Sequence, residues 1–155
     1  MIPDMVDEVG FVVIGIAART SNATEMTGKG IIGKQWGGFV QDNLLSQIPN
    51  KLDSAIVAIY TDYASDQDGE YTFVIGARVK AGAEAPDGMV VKIVSAGRYA
   101  VFVSERGPVG EVVMKTWQRV WAAGIDRVYR ADYEVYDERA RDPGNAVVEV
   151  RVGVK

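Results

Sequence analysis

The chain has 155 residues, 48% of them hydrophobic and 25% charged, which is an ordinary composition for a globular protein with one core and excludes a disordered or fibrous chain. Its formal net charge is −4, and no cluster of Lys and Arg offers the positive surface of a protein that binds nucleic acid directly. It has neither Cys nor His, which excludes disulfides, thiol catalysis and the commonest metal ligand, so we expect no metal and no cofactor.

Residues 1–8 contain three acids and no basic residue, which does not fit a secretory signal. No apolar run approaches the ~20 residues of a membrane span. We therefore expect a cytoplasmic protein that has no membrane contact.

Residues 11–18 form a nearly continuous apolar run, which predicts a strand inside a sheet. Asn22 and Glu25 then have the spacing of a capping box and predict a helical turn. The glycines of residues 28–33 spell a dinucleotide fingerprint, but about ten residues separate them from the strand that this motif must follow directly. We therefore expect no nucleotide site there.

Residues 31–47 have apolar side chains at spacings of three and four, which predict one helix. This apolar stripe consists of Ile32, Trp36, Phe39, Val40 and Leu44. Gly33, Gly37 and Gly38 each cost about 1 kcal/mol inside a helix, which suggests close packing or a local irregularity.

Residues 56–62 and 71–80 read as two strands of an antiparallel hairpin with a turn at residues 66–69. A linker-like stretch of small residues follows at 81–88. Further strands are predicted at 89–94 and 99–104.

A second long helix is predicted from Pro108 to Gly124, because proline is tolerated in a first turn and glycine favours a helix end. Its apolar stripe consists of Val113, Trp117, Val120 and Trp121. A last hairpin pairs residues 129–138 with residues 146–154.

The two halves of the chain repeat. Residues 31–39 align with residues 112–120, so that Trp36 lies over Trp117 at an offset of 81 (117 − 36). Tyr60 likewise lies over Tyr136, at an offset of 76 (136 − 60). The repeat predicts an α+β fold of two β-α-β-β modules, residues 9–80 and 89–155, with antiparallel sheets and two main helices. A pseudo-twofold axis between the modules leaves a ligand cleft there.

One acid is placed unusually, among aromatic residues in a strand. Strand periodicity puts Glu134 on the same face as Tyr136 and opposite to Tyr133. One interpretation is a functional carboxylate. The other is the solvated face of an edge strand, because Asp132 and Glu138 share the same parity.

The order of these elements resembles the GyrI-like effector-binding domain, which also forms the C-terminal ligand sensor of AraC- and MerR-type multidrug regulators. The resemblance covers nearly all 155 residues as one domain. The stretches that carry it are residues 13–16 with 19–20, 36–39, 59–63, 71–76, 96–102 and 133–136. Without a helix-turn-helix segment, the chain resembles a stand-alone bacterial sensor-type member.

The resemblance implies an aromatic pocket between the modules, with a glutamate at its floor that attracts cationic, lipophilic compounds. Glu134 stands at the position of that acid, and Tyr136 could bond its carboxylate. The implied lining residues are Trp36, Phe39, Tyr71, Tyr99 and Trp117.

Three functions remain open on the sequence. The leading hypothesis is capture of an amphipathic cation through aromatic rings and one carboxylate. A hydrolase with Glu134 as general base needs no His, since an apolar pocket raises a carboxyl pKa. A module that binds a protein partner or forms a homodimer is the third hypothesis.

Overall fold

Eight strands pair in one antiparallel sheet in a computed structural model, which describes residues 3–155. The strands are β1 (Asp4–Glu8), β2 (Phe11–Ser21), β3 (Ile56–Thr61), β4 (Glu70–Val79), β5 (Val90–Val94), β6 (Gly97–Val103), β7 (Arg127–Tyr136) and β8 (Glu149–Val154). The helices are α1 (Asn22–Met26), α2 (Ile32–Gln41), α3 (Leu44–Gln47) and α4 (Val109–Ala122), with a 3₁₀ turn at Glu138–Ala140.

The strand order β1-β6-β8-β7-β3-β4-β2-β5 has an internal twofold symmetry. Strands β2, β3 and β4 of the first half correspond to β6, β7 and β8 of the second, and β3 pairs with β7 at the centre. In that pair Ile56 faces Tyr136 and Tyr60 faces Asp132, and the repeat offset of 76 exchanges these two pairs. The predicted α+β fold and its duplication are therefore confirmed, as one continuous sheet.

The two outer strands are exchanged between the halves. Strand β1 pairs with β6 of the second half, and β5 pairs with β2 of the first half. The sequence did not predict β1, because its acids hide the alternation around Val6. Each half thus has one more strand than the predicted β-α-β-β module.

The first long helix is interrupted. Residues 31–47 were predicted as one helix, but α2 ends at Gln41 and Asn43 takes a left-handed conformation with φ 50° before α3. Asparagine adopts this conformation more readily than most residues, so it forms a break that an apolar stripe does not reveal.

The start of α1 differs from the expected capping box of Asn22 and Glu25. The Ser21 hydroxyl accepts a hydrogen bond from the Thr24 N–H and caps α1. Glu25 instead reaches forward, where its carboxylate accepts from the backbone N–H groups of Ile31 (3.0 Å) and Ile32 (3.2 Å) at the start of α2. It stabilises the free N–H groups and the positive end of that helix.

The sheet buries apolar side chains on both faces. The helices cover one face, where Phe39 of α2 packs with Phe73, and Val120 of α4 packs with Phe102. On the opposite face Val57, Ile59 and Tyr133 belong to a separate buried cluster. No helix within residues 3–155 is long and apolar enough to cross a membrane.

Candidate functional site

A cavity of about 960 Å³ lies between α2 and α4, over the central strands β3 and β7. Most of its wall is apolar or aromatic. The residues that line it include Ile32, Trp36 and Val40 of α2, Ile56 and Tyr60 of β3, Val113, Met114 and Trp117 of α4, and Glu134 and Tyr136 of β7. The loop at residues 137–143 closes one side.

The Glu134 carboxylate is held at this cavity by three hydrogen-bond donors. Its Oε2 accepts from the Tyr60 hydroxyl (2.7 Å) and the Trp117 indole N–H (2.7 Å). Its Oε1 accepts from the Tyr136 hydroxyl (2.6 Å). The residue is only 1% exposed, so these bonds form in a medium where each is stronger than in water.

The position of β7 explains this burial. The strand lies between β8 and β3, so the interpretation of Glu134 as a solvated edge residue is wrong. Directly opposite Glu134 on β3 is Ala58, whose small side chain leaves room for the carboxylate.

The aromatic groups around Glu134 follow the twofold symmetry. Trp36 packs edge-on against Tyr136, with ring centroids 4.7 Å apart and planes at 69°. Trp117 packs in the same way against Tyr60, at 5.1 Å and 71°. Each pair joins a helix of one half to a strand of the other. The equivalence of Trp36 and Trp117 that the repeat predicts is confirmed in space.

Burial sets the titration of the site. Loss of water raises the pKa of Glu134 above its ordinary value, although the hydrogen bonds from Tyr136, Trp117 and Tyr60 act in the opposite direction. The pKa values of Tyr60 and Tyr136 are raised, first by burial and then by the nearby Glu134, so both hydroxyls keep their protons and donate.

Four of the seven residues named from the sequence come together at this cavity: Glu134, Tyr136, Trp36 and Trp117. The other three do not line it. Phe39 is in the core beneath α2. Tyr71 borders a small neighbouring cavity of about 80 Å³, and its hydroxyl donates to Asn22.

Tyr99 requires the clearest correction, because it lies on the opposite face of the sheet. It packs against Tyr133 with ring centroids 5.7 Å apart, and its hydroxyl donates to the backbone carbonyl of Ser95. Strand periodicity shows which residues of β6 share a face but not which face the helices cover.

Sequence reasoning missed Tyr60 as a site residue, although the repeat contained the signal. Tyr60 is the counterpart of Tyr136, and a hydroxyl that reaches Glu134 from one half predicts a second from the other half. The structure shows both hydroxyls bonded to the same carboxylate.

A second buried acid lies on the same face of β7. Asp132 is fully buried and forms an ion pair with Arg127 at 2.7 Å, while its other oxygen accepts from the Gly153 N–H. The Tyr63 hydroxyl also donates to it. Asp132 is thus paired with a buried cation, whereas no Lys or Arg within residues 3–155 pairs with Glu134.

Among residues 3–155 no group of three or more metal-ligating side chains is found. The site is therefore described by its carboxylate and its aromatic groups.

The fold and this cavity define an effector-binding domain of the GyrI-like type. The family model of Cass2, integron-associated effector binding protein, matches residues 5–154. The chain is 34% identical to YobU of Bacillus subtilis over 146 residues, 91% of this chain and 90% of that protein. The chain belongs to the family of integron-associated effector-binding proteins.

Other relatives agree with this membership. The transcriptional regulator BrlR of Pseudomonas aeruginosa is 30% identical over 117 residues, 72% of this chain but only 41% of BrlR. The integron cassette protein of Vibrio cholerae superposes with a TM-score of 0.75 and 27% identity over 99% of this chain and 96% of that one. The structure of SAV2435 bound to tetraphenylphosphonium superposes with a TM-score of 0.76 at 15% identity, over 100% of this chain and 94% of that one, which shows a shared fold.

Proposed function

We propose that this protein binds amphipathic, aromatic cations in the cavity between its two halves, with Glu134 as the countercharge. The observation that carries the proposal is a carboxylate buried at the floor of an aromatic cavity without a cation of its own. Its three bonded neighbours are neutral donors, and none of the described Lys or Arg side chains pairs with it.

Residues 3–155 themselves do not supply a full countercharge for Glu134. Taking a carboxylate out of water costs several kcal/mol, and hydrogen bonds from neutral groups offset only part of that cost. A bound cation supplies the missing Coulomb attraction, and rings within about 6 Å add cation–π attraction. Trp36, Tyr60, Trp117 and Tyr136 supply these rings.

The other charges of the wall also favour a cation. Four of its charged residues are acids, namely Glu25, Glu134, Asp137 and Glu138, and Arg141 is its one basic residue among those described. Asp137 is already ion-paired with Arg139 at 2.8 Å, so the excess of acids rests on the other three. The volume of about 960 Å³ is at the upper end of the range for drug-sized ligands. The ligand named for SAV2435, tetraphenylphosphonium, is an aromatic cation and therefore supports this ligand class.

Binding accounts for the site better than hydrolysis does. A general base must accept a proton from water, but three donors already occupy the Glu134 oxygens and oppose the rise of its pKa. We therefore propose a ligand-binding role for Glu134 and no catalytic residue, with residues 1–155 acting as one effector-binding domain.

Glu134→Gln tests this function directly. The carbonyl of the introduced side-chain amide can accept from Tyr60 and Trp117, and its NH₂ group can donate to the Tyr136 hydroxyl, so the substitution keeps shape and hydrogen bonding while removing the charge. Two nearly isosteric probes are methyltriphenylphosphonium, which is cationic, and triphenylphosphine oxide, which is neutral. Both are titrated calorimetrically into each protein.

We expect Glu134→Gln to weaken the binding of methyltriphenylphosphonium by on the order of 2–5 kcal/mol, as for loss of one member of a desolvated charge pair. The binding of triphenylphosphine oxide should be weakened much less. Glu105→Gln, at an exposed residue outside the cavity wall, is the matched control and should leave both affinities unchanged. Equal losses for cation and neutral probe would overturn the proposed function.

A further inference from the structure

The twofold symmetry of the cavity is broken in its polar groups. The carboxylate of Glu134 has no counterpart in the first half, because Ala58 occupies the equivalent position on β3. Both tyrosine hydroxyls are directed to the single carboxylate. The first half therefore has no carboxylate at the position from which Glu134 accepts the indole N–H of Trp117.

The corresponding tryptophan of the first half is Trp36. The indole N–H of its counterpart Trp117 donates to Glu134. The indole N–H of Trp36 finds no hydrogen-bond partner among residues 3–155, and it is not one of the buried unpaired atoms, so it is accessible. Trp36 lies in the cavity wall with its ring packed against Tyr136.

We propose that Trp36 is a specificity-determining residue that selects, among aromatic cations, those with a hydrogen-bond acceptor on one of their rings. This inference rests on the proposed function. The cation lies against Glu134, and a carbonyl, ether or similar oxygen accepts from the Trp36 indole N–H. The preferred ligand thus combines a cationic centre with an acceptor oxygen on a ring that reaches Trp36.

The physical reason is the cost of covering a donor. An apolar ligand that lies over Trp36 removes water from its indole N–H and leaves this donor without a hydrogen bond. A ligand with an acceptor at that point restores the hydrogen bond. A site built to bond a polar group discriminates strongly against analogues that lack the group, because the buried donor is left unpaired.

The test uses two phosphonium cations of the same shape, (4-acetylphenyl)triphenylphosphonium and (4-isopropenylphenyl)triphenylphosphonium, together with their meta isomers. Only the acetyl compounds have an acceptor oxygen. Affinities are measured by calorimetry for the wild-type protein, for Trp36→Phe, which removes the N–H, and for the control Trp121→Phe. Trp121 is 36% exposed and lies outside the main cavity.

The quantity of interest is the ratio of the two dissociation constants, since ring-size effects of Trp36→Phe act on both isosteres alike. We expect Trp36→Phe to shift this ratio against the acetyl compound by about 5- to 10-fold in the para or the meta pair. Trp121→Phe should leave the ratio unchanged.

An unchanged ratio in Trp36→Phe for both pairs overturns the inference while leaving the proposed function intact, provided that the cations bind. Failure of all four cations to bind the wild-type protein contradicts the proposed function itself. If Trp36→Phe does not fold, the wild-type protein decides alone: weaker binding of both acetyl compounds than of their isopropenyl isosteres overturns the inference.

Discussion

The negative charge of Glu134, which we propose attracts the ligand, lowers the stability of the folded protein when no ligand is bound. Its pKa is raised by burial, so the folded protein holds this proton more tightly than the unfolded chain does. Below the ordinary pKa of a glutamate both states are protonated, and the cost of burying a charge is absent. As the pH rises through the folded-state pKa, the buried carboxylate ionises and the full cost appears.

The stability of Glu134→Gln relative to the wild-type protein should therefore depend on pH. We expect the variant to be more stable at pH 8 by on the order of 1–3 kcal/mol, and to lose this advantage near pH 4. Urea denaturation at several pH values measures the difference. A pH-independent difference would show that Glu134 has the same pKa in the folded and unfolded states.

The hydroxyls of Tyr60 and Tyr136 should lower the pKa of the Glu134 carboxyl group. Tyr136→Phe removes one of its donors, which raises the pKa of Glu134 further and disfavours the ionised form that a cation needs. We expect weaker binding of methyltriphenylphosphonium by about 1.5–3 kcal/mol at neutral pH, and a decline of binding that starts at a higher pH than in the wild-type protein.

Tyr99→Phe provides the matched control for Tyr136→Phe. Its hydroxyl lies on the opposite face of the sheet, so the affinity should not change. Equal effects of the two substitutions would mean that the phosphonium does not depend on the face of the sheet that carries Glu134.

Glycines in the helix α2 and in the strand β4 differ in whether a larger side chain would fit. In α2 a Cβ at Gly37 would meet nothing within 4 Å, so close packing, one of the two explanations that the sequence suggested, is absent there. In the sheet, Gly76 of β4 faces Gly15 of β2, and a Cβ would clash with the backbone carbonyl of Ile14. The sequence alone does not distinguish these two cases.

Two alanine substitutions should therefore act in opposite directions. Gly37→Ala should stabilise the protein by about 0.5–1 kcal/mol, because alanine has the higher helix propensity. Gly76→Ala should destabilise it by about 3 kcal/mol or more, because the strands must separate to admit the methyl group. Urea denaturation measures both, and a stable Gly76→Ala would show that β2 and β4 approach less closely.

Hydrophobic periodicity decided which strands and helices could be predicted from the sequence. The hairpin of β3 and β4 and the helix α4 have clear apolar periods, and they were predicted within a few residues. Strand β1 was missed because an edge strand with acids on its outer positions looks like a solvated terminus. The break at Asn43 was missed because it depends on one backbone conformation and not on hydrophobic pattern.

At the scale of the whole molecule, the duplication puts the cavity between the two halves. A single difference between the halves, Glu134 against Ala58, makes the polar groups of the cavity asymmetric. The symmetric part could be read from the sequence: Trp36 with Trp117, and Tyr60 with Tyr136. The difference between Ala58 and Glu134 also follows from the offset of 76 (134 − 58), but coordinates were needed to show that these two residues lie opposite each other in the pair of β3 with β7. The placement of Tyr99 needed them as well, since each strand could have faced the helices with either of its two faces.

Location of a bound cation by anomalous scattering from tetraphenylarsonium tests the central proposal most directly. Crystals of the wild-type protein and of Glu134→Gln are soaked under the same conditions, and the arsenic positions are compared. We predict one arsenic peak inside the cavity of the wild-type protein, within about 6 Å of an aromatic ring of the Glu134 cluster, and a peak that is absent or much weaker in Glu134→Gln. A peak outside the cavity, or equal occupancy in the two proteins, would contradict the account.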